Sequence, residues 1–215
     1  MSAEVEFRSG FACFVGRPNA GKSTLTNALV GEKVAITSSR PQTTRHAIRG
    51  LVHREDAQLV LVDTPGLHRP RTLLGERLNN LVRATWAEVD TIGMCLPADE
   101  KIGPGDKFLI RELAQLRRKP VFAIATKTDL VSPARLAEHL VSIAAAGEEV
   151  GLQWAQVVPV SAVAGDQVEL LASLLIDTMP PGPPLYPAGQ LTDEPEETLI
   201  AENDDELPPQ KELRP

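Results

Sequence analysis

The sequence contains no apolar run of the roughly 20 residues that a membrane-spanning helix requires. Its amino terminus, MSAEVEFRSGF, carries acidic residues where a secretory signal would carry a basic and then an apolar segment. Cysteine is scarce as well: Cys13 and Cys95 both lie in apolar segments, so we expect buried, reduced thiols rather than a disulfide or a metal pair. These absences predict a cytoplasmic protein without a membrane span.

Basic charge is scarce in the carboxyl-terminal segment. Of the chain's 29 acidic and 22 basic residues, nine acidic but only two basic residues fall in residues 180–215, together with nine of the 18 prolines. Residues 1–179 carry equal numbers of basic and acidic side chains. We therefore predict a globular domain at residues 8–179, followed by a Pro-rich acidic linker or tail at residues 180–215 with at most a short helix near residues 194–203.

Apolar and amphipathic runs alternate along the predicted domain. Helical spacing of apolar residues, clearest at residues 73–90, predicts helices between apolar strands, and polar alternation at residues 46–55 predicts a strand at or near a sheet edge. Near-continuous apolar strands suit a sheet covered on both faces, so we predict an α/β fold with a six-stranded, mostly parallel sheet between two helical layers. The apolar strands are predicted at residues 11–15, 57–63, 91–98, 121–126 and 154–162.

The segment GRPNAGKS, residues 16–23, matches the phosphate-binding pattern G-x-x-x-x-G-K-[ST] between a predicted strand and helix. Gly16 and Gly21 allow consecutive backbone N–H groups to converge on an anion, Lys22 is placed for the β- and γ-phosphates, and the Ser23 hydroxyl is placed for Mg²⁺. The alternative is an ordinary Gly-rich turn before a helix. A lysine at the positive end of a helix dipole argues against that alternative unless an anion is bound there. We call residues 16–23 the phosphate cradle and expect a P-loop NTPase.

Two further segments are placed for a metal ion and a γ-phosphate. Asp63 ends an apolar strand and is predicted to contact Mg²⁺ through a water, while the following turn would present the Gly66 N–H to the γ-phosphate. The segment DTPG is also a good type II turn, and the two interpretations are compatible. In the polar segment 37–46, either Thr44 or Thr43 is predicted to reach Mg²⁺, whereas a solvated surface loop is the alternative.

A third segment, TKTD at residues 126–129, is predicted to recognise a base and is called the base loop. Asp129 can accept hydrogen bonds from guanine N1–H and N2–H₂, for which adenine offers no matching pair, and the Lys127 stem can cover the ring. The Ala162 N–H is predicted to contact guanine O6, with Ser161 holding the turn. Alternatively, a strand simply ends in Lys and Asp at the solvent boundary. A different P-loop enzyme, such as an ATPase or a small-molecule kinase, is a further alternative, but adenine has no donor pair for Asp129.

These motifs, in this order and spacing, resemble the Era family of bacterial ribosome-associated GTPases, within the translation-factor-related class of P-loop GTPases. The resemblance covers roughly residues 8–198 and rests most specifically on SRPQTTRH and DTPGLH. It implies a GTP-hydrolysing switch that binds GTP, GDP and Mg²⁺. It also implies links to 16S rRNA, the small ribosomal subunit, ribosome assembly, cell-cycle control and peripheral membrane association. The GTP contacts that it implies are Gly16, Arg17, Pro18, Asn19, Ala20, Gly21, Lys22, Ser23, Thr24, Asp63, Thr64, Pro65, Gly66, Leu67, Thr126, Lys127, Thr128, Asp129, Ser161 and Ala162.

Ras-type enzymes position the attacking water with a glutamine directly after the turn glycine, whereas this chain has Leu67 there. The resemblance implies that a hydrophobic residue at this position is typical of the class. Asn19 resembles the residue that holds K⁺ in potassium-activated relatives, so slow hydrolysis accelerated by K⁺ or by a partner is expected. His68 is either a general base or simply exposed. The groups assigned to catalysis are Asn19, Lys22, Thr44 and Gly66, and the metal ligands are Ser23, Thr44 and Asp63. The alternative functions are a nucleotide-responsive binding module with negligible turnover and another P-loop GTPase of the same class, in which a hydrophobic residue stands in place of the glutamine.

Two departures from the family are visible. The family has asparagine, which ties the base loop to the cradle and reaches guanine N7, where this chain has Thr126, so we expect affinity weaker by about 1–2 kcal/mol. The family also continues into a KH domain with a G-x-x-G loop for RNA, whereas no G-x-x-G follows residue 180 and the acidic tail would repel phosphates. We therefore expect this chain to lack the RNA-binding part, and we find no lipidation signal or basic amphipathic helix for a membrane. A group of arginines in or near residues 37–46 and the DTPG turn is either solvated or faces RNA or nucleotide: Arg40, Arg45, Arg49, Arg54, Arg69 and Arg71.

Overall fold

A computed structural model describes residues 6–31, 48–63, 73–116 and 118–186. Within these ranges the chain forms one six-stranded sheet in the order β2-β3-β1-β4-β5-β6. Only β2 is antiparallel, and it pairs with β3 at one edge, as the polar alternation of its sequence predicts. The strands are β1 (Arg8–Val15), β2 (Ile48–His53), β3 (Ala57–Val62), β4 (Thr91–Pro97), β5 (Val121–Thr126) and β6 (Val157–Pro159).

Five helices of the described residues cover the sheet: α1 (Lys22–Val30), α2 (Leu73–Glu88), α3 (Pro104–Leu113), α4 (Pro133–Glu148) and α5 (Val168–Ile176). Alternate residues of β1 point to opposite faces of the sheet. Cys13 and Val15 belong to the core cluster that α2, α3 and α4 cover, whereas Ala12 and Phe14 belong to the cluster under α1 and α5. The predicted α/β fold with helices on both faces is confirmed.

Several local predictions are confirmed. In α2, Val82, Thr85 and Trp86 are buried at the helical spacing seen in the sequence. The start of α4 at Pro133 also follows from its sequence, because proline is favoured at the first helical position and the Ser132 hydroxyl accepts a hydrogen bond from the Arg135 N–H at 3.3 Å. Both cysteines are buried free thiols, and burial raises the pKa of Cys95 to about 12.

The predicted strand at residues 154–162 is wrong in length, because β6 comprises only Val157–Pro159. Trp154 turns its indole into the α4 side of the core and donates a hydrogen bond to the Ile143 carbonyl at 3.1 Å. At the other end, Ser161 bridges to Asp166 in the following turn instead of continuing along β5. The segment is apolar enough for a longer strand, but the packing of Trp154 at one end and the turn at Ser161 at the other limit β6 to three residues.

Beyond α5 the chain stays attached to the sheet as far as Tyr186. Gln58 of β3 is fully buried, and its side-chain oxygen accepts from the Leu185 and Tyr186 N–H groups at 2.7 and 2.9 Å. Its amide nitrogen donates to the Tyr186 carbonyl at 2.9 Å. Residues 187–215, including the helix expected near residues 194–203, lie outside the described part. The division into residues 8–179 and 180–215 therefore stays a prediction.

No helix in the described ranges is both long and apolar enough to cross a bilayer. The longest helices, α2 and α4, have 16 residues each and are amphipathic. Each turns an apolar side toward the sheet.

Candidate functional site

The carboxyl ends of β1, β5 and β6 open onto a cavity of about 640 Å³, a volume in the range of small-molecule sites. Residues of the phosphate cradle and of the base loop both line this cavity. The segments therefore meet where a parallel sheet is expected to bind its ligand. The cavity is lined by Asn19, Gly21, Lys22, Ser23, Thr24, Leu25, Thr126, Lys127, Asp129, Leu130, Val160, Ala162 and Val163.

In the cradle, Gly21 has the positive φ that the sequence allows, whereas Gly16 does not. Gly21 has a φ of 87° immediately before α1, and Asn19 has a φ of 62°. At Gly16 the constraint is space, because a Cβ there would come within 2.8 Å of the Cys95 carbonyl on β4. Glycine is thus required at Gly21 by conformation and at Gly16 by the close approach of two strands.

Lys22 lies in the first turn of α1 with its ammonium group folded over the cradle. Its Nζ donates hydrogen bonds to the Gly16 carbonyl at 2.9 Å and to the Arg17 carbonyl at 2.8 Å. Burial lowers the pKa of Lys22 below its ordinary value, and the negative charge of Asp63 only partly opposes this. A half-buried cation at the positive end of a helix dipole is favourable when an anion joins it.

The Arg17 side chain turns away from the cavity. Its Nε donates to Asp106 at 2.7 Å and its Nη2 donates to Glu100 at 3.0 Å. The hydrogen bond to Asp106 raises the pKa of Arg17. Asp106 is itself buried and accepts from the Gly103 N–H at 2.9 Å, where it caps α3. Arg17 therefore braces the cradle against α3, a role that sequence reasoning missed because its partners lie more than 80 residues away.

Thr126 ends β5 and ties the base loop to the cradle. Its buried hydroxyl donates a hydrogen bond to the Ala20 carbonyl at 2.8 Å. The link between cradle and base loop that the family makes with asparagine is thus present with threonine. Because this link is retained, the expected weakening of nucleotide affinity would come only from contacts to the base. It stays a prediction.

The base loop presents Asp129 in a fixed orientation. The Ser161 hydroxyl donates to Asp129 Oδ1 at 2.6 Å and accepts from the Ala164 N–H at 3.1 Å. Lys127 has a left-handed φ of 58°, and its Nζ lies 3.4 Å from Asp99 Oδ2. This arrangement leaves the Lys127 stem along the cavity wall, where a flat base can pack against it.

Two exposed apolar side chains complete this end of the cavity. Leu130 is 61% exposed and Val163 is 81% exposed, although both are apolar. Neither was predicted as a site residue. Their signal in the sequence was available, because each is an apolar residue directly after a predicted contact segment.

Oxygen ligands for a metal ion lie on the cradle side. Ser23 is exposed at the start of α1, and Asp63 follows the end of β3. Arg49 of β2 forms an ion pair with the half-exposed Asp63 carboxylate. A serine hydroxyl and a carboxylate are hard oxygen donors of the kind that Mg²⁺ prefers, so these residues fit such an ion.

The described residues place some predicted contacts around the cavity and others behind it. Asp63, Gly16, Arg17, Pro18, Ala20, Thr128 and Ser161 do not line the cavity. Arg54 turns to α5, where it donates to Ser173 at 3.0 Å and pairs with Glu169. A remaining set lies outside the described ranges and stays predicted: Arg40, Thr43, Thr44, Arg45, Thr64, Pro65, Gly66, Leu67, His68, Arg69 and Arg71.

Comparison with known proteins assigns this chain to a family. Residues 11–127, more than half of the chain, match the family model described as 50S ribosome-binding GTPase. The chain is 69% identical over 200 residues to GTPase Era of Streptomyces coelicolor, covering 93% of this chain and 63% of that protein. It is 62% identical over 198 residues to GTPase Era of Mycolicibacterium smegmatis, covering 92% and 65%. The chain thus spans less than two thirds of the length of these curated relatives.

Two solved structures of Era share the fold, each with a TM-score of 0.74 and each covering 91% of this chain and 65% of the other chain. One is a variant of Aquifex aeolicus Era bound to GDP·AlF₄⁻, at 30% identity. The other is Era in complex with MgGDPNP and nucleotides 1506–1542 of 16S ribosomal RNA, at 32% identity.

Proposed function

We propose that this chain, which belongs to the 50S ribosome-binding GTPase family and within it to the Era group, is a GTP-binding and GTP-hydrolysing molecular switch. One observation carries the proposal: Lys22 and Asp129, a cation and a carboxylate more than 100 positions apart in the chain, line the same cavity. A triphosphate and a guanine joined by a ribose have the same arrangement of charge and hydrogen bonds. An adenine nucleotide would satisfy only the phosphate end.

The phosphates would bind in the cradle. Lys22 already donates to two cradle carbonyls, so its ammonium is held at the place where the β- and γ-phosphates would lie. The backbone N–H groups around Gly21 and the start of α1 supply further donors without a conformational cost. Buried positive charge and preorganised N–H groups together stabilise the negative charge of the phosphates.

The base would bind between Lys127 and the apolar side chains of Leu130 and Val163. Ser161 holds one carboxylate oxygen of Asp129, so the carboxylate is preoriented to accept from guanine N1–H and N2–H₂. The Ala162 N–H is proposed to contact O6. Guanine selectivity therefore rests on an acceptor that Ser161 keeps fixed.

Magnesium is part of the proposal. Ser23 would hold it directly and Asp63 through a water, with Thr44 joining from outside the described residues. When bound, Mg²⁺ neutralises charge on the β- and γ-phosphates. Asp63 now pairs with Arg49, so the carboxylate is already oriented by a cation on the neighbouring strand.

Hydrolysis is proposed to depend on positioning and charge rather than on a general base. Leu67 offers no group that holds a water, and the Gly66 N–H is proposed to face the γ-phosphate. Asn19 lines the cavity in a left-handed backbone conformation, and we propose that it holds K⁺ beside the phosphates. Slow turnover that rises with K⁺ is the expected behaviour.

Ribosomal RNA is proposed as a partner of the Era type, with the small subunit as its setting and the cytoplasm as its location. Support comes from the solved relative in complex with a 16S rRNA fragment. RNA binding should be measured for this chain and for a version extended by a KH domain. Tighter binding of the extended version is expected, and equal binding would contradict the assignment of RNA contacts to that domain. Peripheral membrane association stays an expectation from the family resemblance.

The nucleotide proposal is tested with protein stripped of bound ligand and supplied with Mg²⁺. A fluorescent GDP analogue should bind, unlabelled GTP and GDP should displace it, and ATP should fail at concentrations a hundredfold higher. Lys22→Ala should abolish uptake. No binding of guanine nucleotides by the folded protein would overturn the proposal.

The second candidate, a binding module with negligible turnover, shares the same cavity. Phosphate release under single-turnover conditions separates the two. Release that is measurable with K⁺ supports the hydrolysing switch, and release no faster than that of free GTP in every cation supports the module.

A further inference from the structure

Thr126 lies at the junction of cradle and base loop, and the only polar hydrogen of its side chain is already used. The residue is 4% exposed, and its hydroxyl donates to the Ala20 carbonyl at 2.8 Å. A hydroxyl group carries one hydrogen that it can donate, and its remaining capacity is to accept. Toward the cavity, Thr126 can therefore offer an acceptor or a methyl group but no donor.

Among the cavity-lining residues next to Thr126 in the base loop and in the turn after β6, no other side chain replaces that donor. Leu130, Val160 and Val163 are apolar, and Asp129 is an acceptor. The Lys127 ammonium lies 3.4 Å from Asp99, at the far end of a stem that covers the base from one face. A donor above the ring face cannot make an in-plane hydrogen bond to a ring nitrogen.

Guanine has two kinds of polar edge. Its N1–H and N2–H₂ donors match Asp129, whereas N7 is only an acceptor and requires a donor in the plane of the ring. With its hydroxyl proton committed to Ala20, Thr126 leaves N7 without a side-chain partner.

We propose that this site recognises guanine by its N1, N2 and O6 edge alone and does not read N7, with Thr126 as the residue that sets this specificity. The inference rests on the proposed guanine-nucleotide function. It enlarges the ligand class to guanine nucleotides that carry carbon in place of N7. It also assigns Thr126 a second role, because the hydrogen bond to Ala20 holds the cradle whichever base is bound.

The test compares GDP with 7-deaza-GDP, which has a C–H group at that ring position, as competitors of a fluorescent GDP analogue in the presence of Mg²⁺. The wild-type protein should bind the two with dissociation constants within about twofold of each other. A loss of fivefold or more for 7-deaza-GDP would overturn the proposal. ADP is included, because absent GDP binding or equal binding of ADP would instead contradict the proposed function.

Three variants of Thr126 assign the effect to this residue. Thr126→Asn introduces an amide with two donor hydrogens and should make 7-deaza-GDP bind about 2- to 12-fold more weakly than GDP, the range for one hydrogen bond. Thr126→Ser keeps the hydroxyl and should keep the ratio near one. Thr126→Val loses the bond to Ala20 and should weaken both ligands by a similar factor.

The variants also limit the interpretation. A ratio near one in folded Thr126→Asn, checked by circular dichroism, would show that this position does not face N7 and would overturn the role of Thr126. A ratio that changes in Thr126→Val would do the same, because that variant adds no donor. If Thr126→Asn does not fold, the wild-type ratio and the valine variant still decide the question.

Discussion

Replacing Asp106 with asparagine tests whether α3 holds the phosphate cradle through Arg17. Asp106 is 1% exposed and accepts hydrogen bonds from Arg17 Nε at 2.7 Å and from the Gly103 N–H at 2.9 Å. Hydrogen bonds to charged groups contribute about 1.5–3 kcal/mol, and an amide oxygen retains part of this. We expect Asp106→Asn to lower the free energy of unfolding by about 2 kcal/mol. For a chain of this size, that corresponds to a fall of about 4–8 °C in melting temperature.

Glu100→Gln is the matched control, because Glu100 contacts the same arginine at 3.0 Å but is 44% exposed. Exposed ion pairs contribute about 0–1 kcal/mol, so little change is expected. Urea denaturation of the nucleotide-free proteins measures both variants. Binding of a fluorescent GDP analogue should weaken in Asp106→Asn only, since the Arg17 carbonyl is one of the two that hold Lys22. Equal, small losses of stability in both variants would refute the brace, and unchanged nucleotide affinity would refute its connection to the cradle.

The remaining predictions concern the base, the cation and pH. Asp129→Asn should weaken GTP binding about 10- to 100-fold in competition assays, which is the range for the loss of a charged hydrogen bond. The control variant Asp177→Asn, at an exposed position, should bind GTP like the wild type. An unchanged preference for GTP over ATP in Asp129→Asn would refute the base pocket. Phosphate release should be about tenfold or more faster in K⁺ than in Na⁺, and Asn19→Ala should remove the difference; equal rates in the wild type would contradict the role of Asn19. Burial lowers the pKa of His139 below 6.5, so the unfolded chain binds a proton that the folded chain resists, and the free energy of unfolding should fall as the pH drops through and below about 6.5. Denaturation curves of His139→Gln should show a weaker dependence over the same interval.

The parts of the site that sequence analysis could predict are those whose residues are close together in the chain. The phosphate cradle places Gly21, Lys22 and Ser23 at fixed offsets, so the φ of Gly21 and the start of α1 follow from the pattern itself. Parallel strands bring their carboxyl ends to one edge, which is why Asp129 and Lys22 border the same cavity. The periodicity of the helices and the alternation of strands and helices required no knowledge of individual contacts.

Contacts between distant segments could not be predicted, because they depend on the register of strands and on side-chain direction. Arg17 and Asp106 are 89 positions apart, and Thr126 and Ala20 are 106 apart. The motif gives Arg17 as a residue beside the phosphates, but its side chain turns toward the more favourable partner, a buried carboxylate. The same limit explains β6, whose apolar sequence does not reveal that Trp154 leaves the sheet to pack beside α4.

Gln58 gives the domain an unusual mechanical property. The backbone leaving the domain at Leu185 and Tyr186 is fastened to the first half of β3, and Asp63 follows the opposite end of that strand, roughly 17 Å away. A pull on the chain at Tyr186 would therefore act on β3 through Gln58, and on β1 through the contacts of Ser9 with Pro180 and Pro183, before it reached α5. The last described residues of the chain and Asp63, the carboxylate proposed for Mg²⁺, are thus connected through one short strand.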